Sequence, residues 1–325
     1  MKRTAKKIFL ILSAVVIAAF IYYQGVYTRV YNQSNTKDNT EIGTGVSQKT
    51  AEGLVNDLTG FPNRYSGTKS NFSAVQYIRN SFREAGLKPF YEGSYYQSFY
   101  GEYLKNSWYY ELPVHGTVEN VVGRIPGLDS SKAVVITAHM DSFHSKGVLD
   151  NASGTAVLLR SALLLSQAFP PGEYPVDIIF VAFNAEESYL LGSKAFYKDL
   201  SQRYADFYNI NMDCVGAADK PLAIKNENEA SDELYRDFIP FLDKHAIPTR
   251  DIAYAVNENG YITGTSDHEV FQENGRAAII LGEDNIVHLV HTRQDNDRKL
   301  LDFAELDRLT DAVVDFVTAA DGKIY

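Results

Sequence analysis

The stretch Ala138-His-Met-Asp-Ser-Phe-His-Ser-Lys-Gly-Val-Leu-Asp-Asn-Ala-Ser-Gly154 joins two elements of different period. Before it, Ala133-Val-Val-Ile-Thr137 is a short apolar run bounded by polar residues, the pattern of a buried strand. After it, Thr155-Ala-Val-Leu-Leu-Arg-Ser-Ala-Leu-Leu-Leu165 reads as a helix. His139 and Asp141 therefore fall at the C-terminal end of a strand, and Asp150 just ahead of a helix N-terminus. In open α/β sheets, ligands bind outside the carboxyl ends of the strands. A His and two carboxylates gathered there are candidate metal ligands. A lone His-x-Asp is more often an ordinary pair, so its meaning depends on the rest of the chain.

The bulk composition narrows the classes. A chain of 325 residues with 45% hydrophobic and 22% charged residues can bury a full core, as one large or two modest domains. The net charge is −10, and like charges cluster only in the first seven residues. That argues against nucleic acid as a partner, because a phosphate backbone needs clustered Lys and Arg. Cys214 is the single cysteine, which rules out an intrachain disulfide and a zinc site built from several thiolates.

Residues 1–7 form a basic tip, and Ile8 to Tyr23 carries no charge. Extended to Tyr27, the run approaches the roughly 20 residues that span a bilayer as a helix. Tyr22, Tyr23 and Tyr27 would lie at the outer interface. The run is not followed by a small-x-small cleavage site, so residues 8–27 are expected to be an uncleaved transmembrane signal-anchor; a cleaved signal peptide is the alternative. The basic tip should stay cytoplasmic. The expected location is the cell membrane, single-pass, with the rest of the chain extracytoplasmic, or secretion if the segment is removed. Residues 28–45, polar and rich in Asn, Thr and Gly, read as a linker, and 46–325 as one domain.

Within that domain, Ala51, Leu54, Val55 and Leu58 have amphipathic-helix spacing. Ser70 could cap a second helix with Phe72, Val75, Ile78 and Phe82 on one face and Gly86 at its end. Tyr95–Tyr100, Ser107–Pro113 and Thr117–Ile125 read as strands. From Ala133 on, strands alternate with helices: Val176–Phe183, then helix Leu190–Leu200; Phe207–Met212, then helix Asp232–Lys244; Ala277–Leu281, then helix Phe303–Ala320. The fold class is α/β, a mostly parallel mixed sheet with helices on both faces.

Each later strand delivers a polar residue to the same sheet edge. Val176–Phe183 leads into Glu186-Glu187, Phe207–Met212 into Asp213, and Ala277–Leu281 toward His291 and Asp295. A Glu-Glu pair alone is usually solvated surface, Asp213 alone could cap a turn, and His291 alone could be an ordinary loop histidine. Their recurrence at successive strand ends carries the signal. His139, Asp150, Glu187, Asp213 and His291 exceed the three protein ligands of one catalytic zinc, and fit two metals if one carboxylate bridges. Asp150 is the natural bridge, since helix N–H groups can hold it ionised. Of Glu186 and Glu187, one can bind metal while the other moves protons.

Taken together, these residues resemble the co-catalytic zinc aminopeptidases of the M28 type, zinc exopeptidases akin to aminopeptidase Y and leucyl aminopeptidase. The resemblance runs from about Leu54 to the end. It rests on Asn120-Val-Val-Gly-Arg-Ile-Pro-Gly127, His139-Met-Asp141, Asp150-Asn-Ala-Ser-Gly154, Glu186-Glu187 with Leu191-Gly-Ser193, Asn211-Met-Asp213, Ser266-Asp-His268 and His291-Thr-Arg-Gln-Asp295. It implies a three-layer zinc-exopeptidase fold (phosphorylase/hydrolase-like) and two Zn2+ per chain, with Co2+ or Mn2+ as possible substitutes. One zinc would be held by Asp150, Glu187 and His291, the other by Asp150, His139 and Asp213. Glu186 matches the general base, and Asp141 the carboxylate that orients His139. Asp295 is expected to support His291 similarly, and Asp267 and His268 to give structural support. Tyr261 is a candidate for stabilising the oxyanion, and His144 is not read as a ligand.

The implied activity is removal of N-terminal residues from peptides, with the membrane touched only through the N-terminal helix. Two alternatives share the fold: a glutaminyl cyclase-like acyltransferase with one zinc, and a binding ectodomain without catalysis. Asp150-Asn-Ala-Ser-Gly154 favours the two-metal enzymes, and the complete ligand set with a free Glu186 disfavours a binding module.

Overall fold

The apolar runs fold into the middle of one mixed sheet. A computed structural model describes residues 44–101, 116–226, 228–255 and 265–325, all within the unit Thr44–Tyr325. Its strands are β1 (Lys88–Pro89), β2 (Tyr96–Gly101), β3 (Gly116–Ile125), β4 (Asp129–His139), β5 (Val176–Phe183), β6 (Asp206–Met212), β7 (Leu222–Ala223), β8 (Thr249–Arg250) and β9 (Ala278–Leu281). Across the main sheet the order is β1-β3-β5-β4-β6-β9, with β2 also paired to β3; β7 and β8 form a separate pair. β3 is antiparallel to β1, β2 and β5, whereas β5, β4, β6 and β9 are parallel. From β4 the chain moves to one side to form β5, then crosses to the other side to form β6. That reversal opens a crevice at the strands' C-terminal ends.

The strands of the parallel part are covered on both faces, as their unbroken apolar runs require. Val134, Ile136, Ala138, Ile178, Phe180 and Ala182 join one core. Their neighbours Ala133, Val135, Ile179, Val181 and Phe183 join the other, as the two-residue period of a strand dictates. The larger core takes residues from helices α1 (Ala51–Gly60), α2 (Lys69–Glu84), α3 (Gly154–Ala168), α5 (Asp232–Lys244) and α7 (Phe303–Ala320). The smaller takes Phe196 and Leu200 of α4 (Leu191–Arg203) and Val270 and Phe271 of α6 (His268–Glu273). The single charge in β5, Asp177, is fully buried and bonded: Arg124 Nη1, Ser130 Oγ and the Gly127 N–H each donate at 2.8 Å, and Tyr204 Oη at 2.6 Å.

The helix beginning α2 is capped by Thr68, not by Ser70: Thr68 is extended, and its Oγ1 accepts from Asn71 N at 3.1 Å. Gly86, at φ +86°, ends it, letting Leu87 N bond back to Phe82 O at 3.1 Å. Among the described residues, the one helix long and apolar enough to cross a membrane is Val148–Ala168, and 89% of its apolar window is buried inside the fold. It is apolar all round because the sheet covers one side and α1, α2 and α7 the others. The expected membrane segment 8–27, the basic tip, residues 28–43 of the linker and the expected strand Ser107–Pro113 lie outside the described residues.

Candidate metal centre

Four strand ends and one turn supply the polar cluster. His139 is the last residue of β4 and is 1% exposed. β5 ends at Phe183 and turns through Ala185, at φ +59°, into Glu186 and Glu187. Asp213 follows β6 directly, and His291, at φ +57°, sits in the loop beyond β9. Asp150 lies in the irregular turn Val148–Ser153 before α3, where its peptide bond to Asn151 is cis.

Glycine is needed on either side of that turn. Gly147 adopts φ +58°, and a Cβ there would collide with the Asp150 carbonyl and the Arg64 and Ser142 side chains. A Cβ on Gly154 would strike the Asn151 amide and the Met212 carbonyl. Asn151 uses that space to lock the Asp150 turn to the Asp213 segment. Its Nδ2 donates to Met212 O at 2.9 Å, and its Oδ1 accepts from Gly154 N at 2.8 Å and Cys214 N at 3.3 Å.

These elements bring together two triads that share one residue. His139 Nε2 lies 3.1 Å from Asp150 Oδ1 and 3.2 Å from Asp213 Oδ1. His291 Nε2 lies 3.1 Å from Asp150 Oδ2 and 2.8 Å from Glu187 Oε2. Within each triad, His139/Asp150/Asp213 and Asp150/Glu187/His291, the candidate ligand atoms all fall within 4.8 Å of one another. Asp150 thus presents one oxygen to each triad.

The charges in this space are unbalanced toward the negative. Burial disfavours a charged His139, yet the carboxylates of Asp213 and Glu186, with Asp141 and Asp150, hold its pKa well above the ordinary value. His291 behaves alike: against the cost of burial, Glu187 and Asp150 push it up to about 12. Burial would raise the pKa of Asp150, but its bonds to the two imidazoles win and hold it far below the carboxylate range. Glu187 is pushed up to about 7 by burial and by the Asp150 charge. Glu186 is raised well above its ordinary value by burial and by Glu187, Asp267 and Asp213, which together outweigh His139. In chemical terms the cluster is a sink for positive charge.

The neighbouring residues take partly different roles from those expected. Asp141 Oδ1 stands 3.5 Å from His139 Nδ1, long for a hydrogen bond. Its closer partners are the N–H groups of Glu186 (3.2 Å) and Glu187 (3.3 Å) and the hydroxyl of Ser66 (3.1 Å). Asp295 does not follow the expectation that it supports His291. It accepts from Leu149 N at 2.6 Å and Ser145 Oγ at 3.0 Å, so it braces the segment leading to Asp150. Burial and the Asp150 charge push Asp295 up to about 7. Asp267, fully buried in electrostatic reach of His139, Asp141 and Asp213, is pushed up to about 7, chiefly by burial. His268 opens α6, and burial pushes it down to about 4, which keeps it neutral. Tyr261 lies outside the described residues.

Several residues essential to this geometry carry no signal in the sequence. Arg64 is fully buried and donates only to main-chain carbonyls: Nε to Met140 at 2.7 Å, Nη1 to Lys146 at 2.5 Å and Nη2 to Gly147 at 3.0 Å. It staples both ends of the loop between Asp141 and Asp150, and burial lowers its pKa to about 10. Ser66, Asn71 and Asn184 are buried nearby. Arg64-Tyr-Ser-Gly-Thr68 reads as a polar connection between two amphipathic helices, and nothing in its spacing points to the distant strand ends.

The model of peptidase family M28 matches residues 120–317. The chain belongs to that family. The matched segment of the M28 chain contains all five residues of the two triads. A vacuolar membrane protease of Yarrowia lipolytica is 31% identical over 184 residues, 54% of this chain and 17% of that protein. Leucine aminopeptidase 1 of Leptosphaeria maculans is 25% identical over 294 residues, 79% of this chain and 74% of that protein. The chain spans between 17% and 49% of the length of three of the curated relatives it matches. Among solved structures, a glutaminyl cyclase of Fimbriiglobus ruber superposes with a TM-score of 0.67 at 14% identity, covering 82% of this chain and 93% of that one. At that identity the likeness speaks for the α/β fold.

Proposed function

We propose that this family M28 chain is a two-zinc aminopeptidase that hydrolyses the peptide bond next to a free N-terminus, with Glu186 as general base. The observation that carries the reading is the division of the Asp150 carboxylate between two His-carboxylate pairs, at 3.1 Å on either side. The donors are imidazole nitrogens and carboxylate oxygens, the set zinc takes in catalytic sites. Glu187 Oε1 is buried without a hydrogen-bond partner, an orphan acceptor that a cation would satisfy. The fit is therefore good. His139, Asp150 and Asp213 would hold one ion, and Asp150, Glu187 and His291 the other. When bound, such a pair supplies Lewis acidity to a peptide carbonyl and makes water more acidic; cobalt or manganese could substitute.

Glu186 belongs to neither triad, so its carboxylate is left free to take a proton from the attacking water. As the water oxygen bonds to the carbonyl carbon and the C–N bond breaks, Glu186 returns that proton to the leaving amine. Asp141 holds the main chain of Glu186 and Glu187 in place through the two N–H bonds. The N-terminal segment would tether this unit outside the membrane through residues 8–27, a setting that the similarity to a vacuolar membrane protease supports.

The test is turnover of aminoacyl and N-blocked substrates by the zinc-loaded full chain and by Glu186→Gln. The variant should keep its zinc and lose about 10²- to 10⁴-fold in rate, and blocked substrates should be inert. Normal turnover by the variant would exclude Glu186 as the base. Cyclisation of N-terminal glutamine without peptide hydrolysis would replace the peptidase reading with the acyltransferase one.

A further inference from the structure

Behind Glu186 lies a closed polar hub that the proposed chemistry does not account for. Asn184 and Asn71 exchange two amide bonds: Asn71 Nδ2 donates to Asn184 Oδ1 at 3.0 Å, and Asn184 Nδ2 donates to Asn71 Oδ1 at 2.9 Å. Asn184 Nδ2 also reaches Glu119 O at 3.1 Å, and its main-chain N–H donates to Asn120 Oδ1 at 2.8 Å. Its Oδ1 accepts from Ser66 Oγ at 2.8 Å and from the Ala185 N–H at 3.0 Å. Ser66 also lies within hydrogen-bond reach of Asp141 Oδ2, at 3.1 Å, so its single proton can serve either the amide or the carboxylate. Asn71, Asn120 and Asn184 are each no more than 3% exposed.

The consequence falls on three consecutive peptides. The Ala185 N–H is held by Asn184, and those of Glu186 and Glu187 by Asp141. Ala185 is meanwhile kept at φ +59°, a region that non-glycine residues rarely enter without external support. A β-strand could end at Phe183 in many ways. This hub fixes the turn at Ala185 that leads the chain into Glu186, while the Glu187 N–H is held separately by Asp141.

The geometry points to Asn184, backed by Asn71 and Ser66, as the positioning residue for the proton-moving carboxylate Glu186. The inference rests on the peptidase reading above. If the wild-type chain cleaves no aminoacyl substrate, that reading fails; if it cleaves them and the variants below behave as wild type, only this inference fails.

The experiment compares zinc-loaded full-length wild type, Asn184→Ala and the milder Ser66→Ala. Zinc content, kcat and KM are measured together with amide hydrogen exchange at residues 185–187. Asn184→Ala is expected to keep both zinc ions and to lose about 10- to 100-fold in kcat, since small misplacement of a reacting group has that effect. Its KM should stay within about twofold, because substrate binding is not what the hub arranges. Amide protection at 185–187 should fall. Ser66→Ala should show the same pattern at smaller amplitude, and it keeps the test open if Asn184→Ala does not fold. An unchanged kcat, a kcat loss that only tracks zinc loss, or a rise in KM alone would overturn the inference.

Discussion

Replacing Asp141 with Asn changes one oxygen to an amide at nearly constant shape. Asp141 receives the N–H of Glu186 on Oδ1 and that of Glu187 on Oδ2. Whichever oxygen becomes NH2, one of those N–H groups then faces a donor. Ser66 can adapt by turning its proton to Asn184, but a main-chain N–H cannot turn away. An unsatisfied buried donor costs about 1–3 kcal/mol, and each remaining bond drops from the charge-assisted to the neutral class, roughly 1 kcal/mol less. The zinc-loaded protein should therefore lose about 2–4 kcal/mol of stability. Without metal, removing one negative charge from the crowded carboxylates offsets part of that cost, so the loss should be smaller. Zinc affinity should fall about 10- to 100-fold, the usual effect of losing a partner that orients a ligand. The assay is urea unfolding of the zinc-loaded and chelator-treated forms of Asp141→Asn beside wild type, with a competition titration for zinc. Stability within about 0.5 kcal/mol of wild type in both forms, with unchanged zinc affinity, would refute the role given to Asp141.

Two further outcomes test the scaffold. Arg64→Met fills most of the volume but removes the guanidinium donor from the Met140 and Lys146 carbonyls and leaves Gly147 O only the Ala152 N–H, so thermal unfolding should show a loss of about 3 kcal/mol or more; a loss under about 1 kcal/mol would show that the staple is dispensable. Glu283 is fully buried and accepts from the Gly216 N–H at 2.7 Å; burial and the Glu305 charge raise its pKa well above the ordinary value. Its stabilising contribution is therefore complete below the unfolded-state value of about 4.3 and is lost as pH rises toward the folded one. Glu283→Gln should accordingly raise the melting temperature at pH 8 and give no gain at pH 4, and an equal shift at both pH values would contradict that sign.

The parts of this fold that were legible in the sequence are those set by local pattern. Val176–Phe183 and Asp232–Lys244 read with the bounds the structure has, because each is an apolar or amphipathic run closed by clear terminators. The strand-end positions of His139, Glu187 and Asp213 follow from the same runs. The short helix α6 was missed because only Val270 and Phe271 face its core. Asn71 and Asn184 lie 113 residues apart, and their bond exists only once the sheet has formed. Asp295, expected to support His291, is instead carried by the folded loop to the Leu149 N–H, 146 residues away in sequence. Buried polar partners are chosen by tertiary geometry, and single-residue spacing does not encode them.

The most direct test of the two-metal account is the zinc content of the purified chain and of Asp150→Ala. Wild type should hold about two zinc ions per chain, as a paired hydrolytic site requires. The variant should lose both together, because one carboxylate serves both triads. One zinc in the wild type, or two retained in Asp150→Ala, would contradict the account.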